Sequence, residues 1–137
     1  MTPNPPDAEL RDLLRRYRRI AVVGLSDRPD RPSYGVAEYL QHAGYDITPV
    51  NPTIEETLGL KAVDSLQEVA PPVEIVDVFR RAADVPPVVD DAIAVGAKVV
   101  WLQLGIVNEE AAARAREAGL VVVQDACLKV EHRRLAV

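Results

Sequence analysis

The chain has 137 residues with one cysteine and a net charge of −5. This length suits a single domain, so we expect residues 1–137 to form one domain with a sizeable core. One cysteine cannot form an intramolecular disulfide bond. The acidic balance disfavours a general nucleic-acid binder or a protein of anionic membrane surfaces.

The sequence also predicts a cytoplasmic location. The opening residues, Met1-Thr-Pro-Asn-Pro-Pro, lack the charged start and apolar core of a signal peptide. No apolar run approaches the roughly 20 residues of a membrane span. We therefore expect no association with a membrane.

Short apolar runs alternate with helical stripes along the chain. Residues 1–18 contain an amphipathic helix, capped by Asp7, which we expect to pack on the rest of the domain. The predicted strands are 20–23, 45–50, 74–79, 97–102 and 120–123. Helices are expected between them, with Ser33, Asp84 and Asn108 as caps, and a last helix at 127–135. Residues 60–69 are predicted to form an extended piece and a helical turn.

Five strands that alternate with helices predict an α/β fold. The expected architecture is a doubly wound, mostly parallel five-stranded sheet with helices on both faces. Ligands of such folds bind at the carboxyl ends of the strands, where the strand order reverses. The residues at these ends can donate hydrogen bonds or stack, but they include no paired carboxylates, metal cluster or nucleophile beside a base.

The segment after the first strand has the pattern of a phosphate site. Gly24 allows the backbone to turn where a ligand comes close, and Ser33 is predicted to cap a helix whose free N–H groups attract anions. Arg28 and Arg31 are permanently charged and can each make paired hydrogen bonds to phosphate oxygens. A phosphate-bearing ligand is the first hypothesis.

The alternative is an enzyme that uses a nucleotide, either an NAD(P)-dependent dehydrogenase or another nucleotide-using enzyme such as a transferase. Sites for NAD(P) usually show G-x-G-x-x-G and an acidic residue at the end of the second strand. Here Gly24 and Gly35 stand alone, and the second strand ends in Val50-Asn51-Pro52. Both features of the dinucleotide pattern are missing.

Six motifs resemble the small single-domain CoA-binding proteins, which are similar to the N-terminal CoA-binding domain of the succinyl-CoA synthetase α subunit. The similarity extends from Tyr17 to Leu135 without a large gap. In chain order the motifs are V-V-G-L-S, P-x-R-P-S-Y, P-V-N-P, D-V-F-R, V-W-L-Q-L-G-I and D-x-C.

This resemblance implies a Rossmann-like domain that binds coenzyme A or an acyl-CoA. It places Gly24, Leu25, Ser26 and Arg28 beside the diphosphate, and Val50, Asn51 and Pro52 beside the adenosine. Phe79, Arg80 and Gln103 would line the remaining groove. Arg31, Ser33, Tyr34 and Gly35, in the loop and the start of the second helix, complete the candidate binding residues.

The resemblance implies binding without catalysis. The synthetase depends on a phosphorylated histidine in a second domain, and neither His42 nor His132 matches that position. Ser26 has no histidine placed to activate it as a nucleophile. A further alternative is a partner subunit that supplies its CoA site to a separately encoded acyl-CoA ligase; the acyl group and oligomeric state stay open.

Several of these residues also have purely structural explanations. Arg28 and Arg31 could form surface ion pairs with Asp27 and Asp30, and Arg80 could form a salt bridge with a nearby acid. Trp101 is expected in the core. The basic run 15–19 favours a solvated helix end over nucleic-acid binding. Cys127 is expected to be a buried, inert thiol, with a reactive one as the alternative.

Overall fold

A computed structural model describes residues 2–137 and contains a five-stranded parallel sheet. Its strands are β1 (Arg19–Val23), β2 (Asp46–Val50), β5 (Ile75–Val78), β6 (Val99–Leu102) and β7 (Val121–Val123). They lie in the order β2-β1-β5-β6-β7, and every pair of neighbours is parallel. A separate antiparallel hairpin joins β3 (Glu56–Thr57) and β4 (Leu60–Lys61), and a 3₁₀ turn follows at Leu66–Glu68. The extended piece and helical turn predicted for residues 60–69 are thus confirmed, whereas β3 and its pairing with β4 were not predicted.

Five helices cover the two faces of the sheet. They are α1 (Asp7–Arg16), α2 (Pro32–His42), α3 (Val85–Ala94), α4 (Glu109–Glu117) and α5 (Leu128–Arg134). Apolar residues of α1, α2 and α5 pack on one face, and those of α3 and α4 pack on the other. The predicted doubly wound, Rossmann-like α/β fold is therefore confirmed. Among residues 2–137, no helix has the length and apolar character needed to cross a membrane.

Alternation along β1 explains this two-layered core. Ile20 and Val22 of β1 belong to the cluster beneath α1, α2 and α5, whereas Ala21 and Val23 belong to the cluster beneath α3 and α4. Side chains buried on both faces make a parallel strand apolar throughout. Because β1 lies between β2 and β5, the chain reverses its direction of travel across the sheet at this point. The carboxyl ends of β1 and β5 thus form the switch point where ligands bind in such folds.

The helix starts confirm one of the predicted caps. Asn108 caps α4, and its side-chain oxygen accepts the N–H of Ala111 at 3.0 Å. Asp84 holds the cap position of α3, but the prediction that its side chain caps the helix is wrong. Its carboxylate accepts a hydrogen bond from Arg81 at 3.1 Å instead.

Two other predicted caps are wrong because proline sets the helix start. Pro6 occupies the cap position of α1, so Asp7 is already helical and pairs with Arg134 at 2.8 Å. Pro32 is the first residue of α2, where its fixed φ suits the helix. Ser33 consequently lies inside the first turn, and its hydroxyl faces the preceding loop.

The segment before α1 is tied to the open edge of the sheet. The side-chain amide of Asn4 donates to the carbonyl of Gln124 at 2.8 Å and accepts the N–H of the same residue at 2.8 Å. Leu10, Leu13 and Leu14 bury the apolar side of α1. These leucines belong to the same core cluster as Ile20 and Val22 of β1.

Candidate functional site

The loop after β1 begins at a position where a side chain does not fit. Gly24 has φ +87°, and a Cβ atom there would lie 2.3 Å from the carbonyl oxygen of Phe79. The sequence predicts a glycine for close approach at this point. The structure shows that the closest group is the protein's own backbone at the end of β5.

Three hydrogen bonds hold this loop in place. The N–H of Ser26 donates to the Ser33 hydroxyl at 3.0 Å. The hydroxyl of Thr57 donates to the Ser26 carbonyl at 3.1 Å, and the side chain of Asn51 donates to the Leu25 carbonyl at 3.1 Å. Helix α2, the hairpin and the end of β2 therefore fix one loop conformation.

The loop borders a cleft of about 520 Å³, which we term the polar cleft. It brings together half of the predicted site: Gly24, Ser26, Arg28, Arg31, Ser33, Asn51 and Phe79. The sequence analysis missed four further lining residues: Asp27, Pro32, Thr53 and Ile54. Each of the four lies beside predicted site residues in the loop or just after the second strand. This proximity in sequence could have identified them.

Several groups in the polar cleft suit an anion. The N–H of Ser33, in the first turn of α2, has no acceptor among residues 2–137. Arg31 is exposed and makes no salt bridge with another described residue, while Arg28 lies 3.3 Å from Asp30. Asp27 contributes the one carboxylate that lines the cleft. Asp27 and Asp30 balance the two guanidinium charges, so the free N–H of Ser33 and the Arg31 guanidinium are the groups left to attract an anion.

A second cavity of about 340 Å³ lies next to the first, and we term it the apolar groove. It shares Pro32 and Phe79 with the polar cleft. The remaining lining residues are Val36, Gln103, Leu104, Ile106 and Cys127. Cys127 is half-buried in this wall, so the expectation of a buried thiol is wrong, because the last helix starts beside the open groove.

Arg80 lies in a separate recess of about 190 Å³, together with Val50 and Pro52. Asp64 and Asp91 line the same recess, yet no carboxylate of residues 2–137 comes within 4.0 Å of the Arg80 guanidinium. The guanidinium stands close to the switch point, since its Nη1 is 3.0 Å from the position that a Cβ of Gly24 would occupy. A half-buried cation without a salt bridge is thus available to a ligand at the strand ends.

Three predicted site residues line none of these cavities. The side chain of Leu25 is fully buried in the core, so its backbone is what borders the loop. Tyr34 is half-buried on α2. Gly35 was predicted to lie close to the sheet or to a phosphate. The prediction of close packing on the sheet is wrong, because a Cβ atom at Gly35 would meet nothing within 4 Å.

Asp77, the first residue of the D-V-F-R motif, is a buried carboxylate to which the sequence analysis assigned no role. It is fully buried in β5, and burial raises the pKa of its carboxyl group to about 7, against the opposing effect of a hydrogen bond from Gln103. That bond joins Gln103 Nε2 to Asp77 Oδ1 at 2.6 Å, while Oδ2 has no partner among the described residues. The signal was its position as the sole charged residue inside an apolar strand.

Other side chains serve the core. Trp101 is fully buried and donates to the carbonyl of Ala126 at 2.9 Å, which confirms its predicted structural position. His42 is exposed on α2, as expected. His132 is buried and its Nδ1 lies 2.7 Å from the Tyr39 hydroxyl. Neither histidine is hydrogen-bonded to Ser26.

Comparison with known families agrees with a ligand site at these strand ends. The sequence model of the CoA binding domain matches residues 18–133. The chain belongs to this family. It is 53% identical over 129 residues to the uncharacterized protein YneT of Bacillus subtilis (strain 168), covering 94% of this chain and 96% of that protein.

Solved structures agree with this membership. A hypothetical protein from Pyrococcus horikoshii OT3 has a TM-score of 0.95 and 41% identity, covering 100% of this chain and 99% of that one. The apo form of a dinucleotide-forming acetyl-coenzyme A synthetase 1 from Ca. Korarchaeum cryptofilum has a TM-score of 0.70 and 26% identity. That match covers 79% of this chain but 26% of the synthetase, so this CoA-binding family member is similar to one part of a larger enzyme.

Proposed function

We propose that the protein binds coenzyme A or an acyl-CoA at the carboxyl ends of its strands, without catalysis of its own. The observation that carries this proposal is that the polar cleft and the apolar groove are neighbours, with Pro32 and Phe79 lining both. Coenzyme A combines phosphates at one end with a long, weakly polar pantetheine arm at the other. A ligand of this kind needs two adjoining cavities of opposite character.

The phosphates are assigned to the polar cleft. The backbone N–H of Ser33 at the start of α2 and the guanidinium groups of Arg28 and Arg31 can stabilise a diphosphate there. The adenosine is assigned to the end of β2, around Asn51 and Pro52. From the neighbouring recess, Arg80 is the candidate partner for the separate 3′-phosphate.

The proposal of binding without catalysis rests on how the nearby groups are used. The Ser26 hydroxyl oxygen accepts the N–H of Arg28 at 3.0 Å and so closes the loop. The imidazole of His132 is engaged with Tyr39. These residues therefore support the loop and the core, in keeping with a binding module.

A second candidate function is a partner subunit that provides the CoA site to a separate acyl-CoA ligase. Its support is the match to part of the acetyl-coenzyme A synthetase. Leu104, which lines the apolar groove, is 70% exposed and would be accessible to such a partner. In this case the ligand site would be the same and the chemistry would belong to the other chain.

Titration calorimetry of one preparation with CoA, acetyl-CoA, NAD and NADP tests the ligand. We expect binding of CoA or acetyl-CoA and little heat from NAD or NADP. Tight binding of NAD with none of CoA would contradict the proposal and favour a dinucleotide enzyme. If the protein binds CoA, incubation with acetyl-CoA followed by product analysis tests for hydrolysis; turnover above a Ser26→Ala control would contradict a purely binding role.

A further inference from the structure

The apolar groove contains one polar side chain whose direction is fixed. Gln103 is 4% exposed and lines the groove together with Phe79 and Ile106. Its amide nitrogen donates to Asp77 Oδ1 at 2.6 Å. The NH₂ end of the Gln103 amide thus faces Asp77. Above the Asp77 pKa of about 7 the ionised carboxylate can only accept, which fixes this direction.

The other end of this amide is free. Gln103 Oε1 accepts no hydrogen bond from residues 2–137. Among these residues, the buried side-chain atoms that lack a partner are Asp77 Oδ2 and Arg116 Nη2, so Gln103 Oε1 is not a buried atom. This oxygen therefore stays accessible, and the groove is the cavity that Gln103 lines. The result is a single hydrogen-bond acceptor in a largely apolar wall.

We infer that Gln103 selects the arm of the ligand by accepting an amide N–H through Oε1, and that Asp77 is the positioning residue that holds this oxygen toward the groove. The inference rests on the proposed function. The pantetheine arm of coenzyme A carries two secondary amides, each with one N–H donor. A ligand without the arm, such as adenosine 3′-phosphate 5′-diphosphate, makes no use of Gln103.

The unusual position of Asp77 supports this role. A fully buried carboxylate with an unpartnered oxygen lowers the free energy of unfolding. Its presence in β5 is therefore explained better by an interaction that needs it than by stability. An apolar residue between Val76 and Val78 would suit this strand better. The carboxylate does one thing that no apolar residue can do, which is to fix which end of the Gln103 amide faces the ligand.

The test compares the affinity of coenzyme A with that of adenosine 3′-phosphate 5′-diphosphate by calorimetry at pH 8, where the Asp77 carboxyl is mostly ionised in the folded protein. We expect Gln103→Leu to weaken CoA binding by about three- to tenfold, as for one hydrogen bond, and to leave the affinity of the arm-less nucleotide unchanged. Unchanged nucleotide affinity also shows that the variant is folded. A variant that keeps the wild-type ratio of the two affinities would overturn the inference.

The positioning role of Asp77 is tested by replacing its carboxylate. Asp77→Asn lets the Gln103 amide adopt either direction, so CoA affinity should fall about twofold or more relative to the arm-less nucleotide. The double variant Asp77→Asn/Gln103→Glu should restore the ratio, because a carboxylate presents an oxygen in either direction. No loss in Asp77→Asn, or no recovery in the double variant, would overturn the positioning role.

These outcomes are distinct from failure of the proposed function. If the wild-type protein binds neither CoA nor the arm-less nucleotide, the proposed ligand is wrong and the inference falls with it. If the wild type binds CoA more tightly than the nucleotide but the Gln103 variants keep that preference, the ligand is right and the selecting residue is wrong.

Discussion

The backbone N–H of Ser26 donates to the hydroxyl of Ser33 across seven residues, so the loop after β1 and the first turn of α2 form one unit. Ser33 is buried, and its own N–H is left free for a ligand. The same residue thus holds the loop and contributes to the proposed anion site.

Ser33→Ala should lower the free energy of unfolding by about 1 to 3 kcal/mol, because the Ser26 N–H loses its acceptor. CoA affinity should also fall, since the loop is less well ordered. Urea unfolding and calorimetry measure the two effects. Ser33→Thr keeps the hydroxyl and is the matched control; equal losses in both variants would show that the hydrogen bond is not the cause.

The two glycines near the loop are predicted to respond in opposite ways. Gly24→Ala should destabilise the fold by at least about 2 kcal/mol, because the new Cβ collides with the Phe79 carbonyl at a positive φ. Gly35→Ala lies in helix with open space around it and should stabilise by roughly 0.5 to 1 kcal/mol. Thermal unfolding of both variants checks this; stabilisation by Gly24→Ala would contradict the observed packing.

Arg28→Ala and Arg80→Ala should each weaken CoA binding by about 1.5 to 3 kcal/mol if the guanidinium meets a phosphate. Added salt should weaken wild-type binding more than that of either variant, since the variants have lost part of the screened attraction. Arg15 is exposed on α1, outside the three cavities, and Arg15→Ala is the control.

Dephospho-CoA separates the two arginines. If Arg80 contacts the 3′-phosphate, Arg80→Ala should not change the affinity of dephospho-CoA. Arg28→Ala should still lower that affinity. Wild-type affinity for CoA in both variants at low salt would show that these arginines belong to the solvated surface.

Asp77 predicts a dependence of stability on pH. Because the pKa is raised to about 7 in the folded protein, the native state holds a proton that the unfolded chain releases above about pH 4. The contribution of this group is therefore lost as pH rises from about 4 to 7 and is constant above that range. Asp77→Asn should flatten this slope and stabilise the protein at pH 8 by up to about 4 kcal/mol. Urea unfolding from pH 4.5 to 8 measures the free energy of unfolding of both proteins. If it varies with pH equally in the wild type and in Asp77→Asn, the assignment is wrong.

The sheet could be predicted from the sequence because its strands are buried on both faces. Runs such as Ile20 to Val23 contain no polar position, and the glycines that end the helices separate one element from the next. The hairpin of β3 and β4 escaped prediction because each strand has two residues, too few to show alternation. Caps were wrong where the backbone angles of a proline, rather than a side chain, decided the first residue of a helix.

The candidate site was predicted as a set of strand ends but not as separate cavities. Arg80 and Phe79 are neighbours in sequence, yet they line different cavities because successive residues at the end of β5 point in different directions. The link between Asp77 and Gln103 joins two strands, and nothing in either strand alone reveals it. Contacts of this kind depend on strand register, which a single sequence does not give.

The pair formed by Asn4 and Gln124 has a consequence for how copies of this molecule behave at high concentration. The carboxamide of Asn4 satisfies both backbone groups of Gln124 at the end of the edge strand, in the donor and acceptor pattern that an added strand would offer. Any chain that extended the sheet at this position would first have to displace Asn4. A single side chain thereby guards the end of this strand against self-assembly.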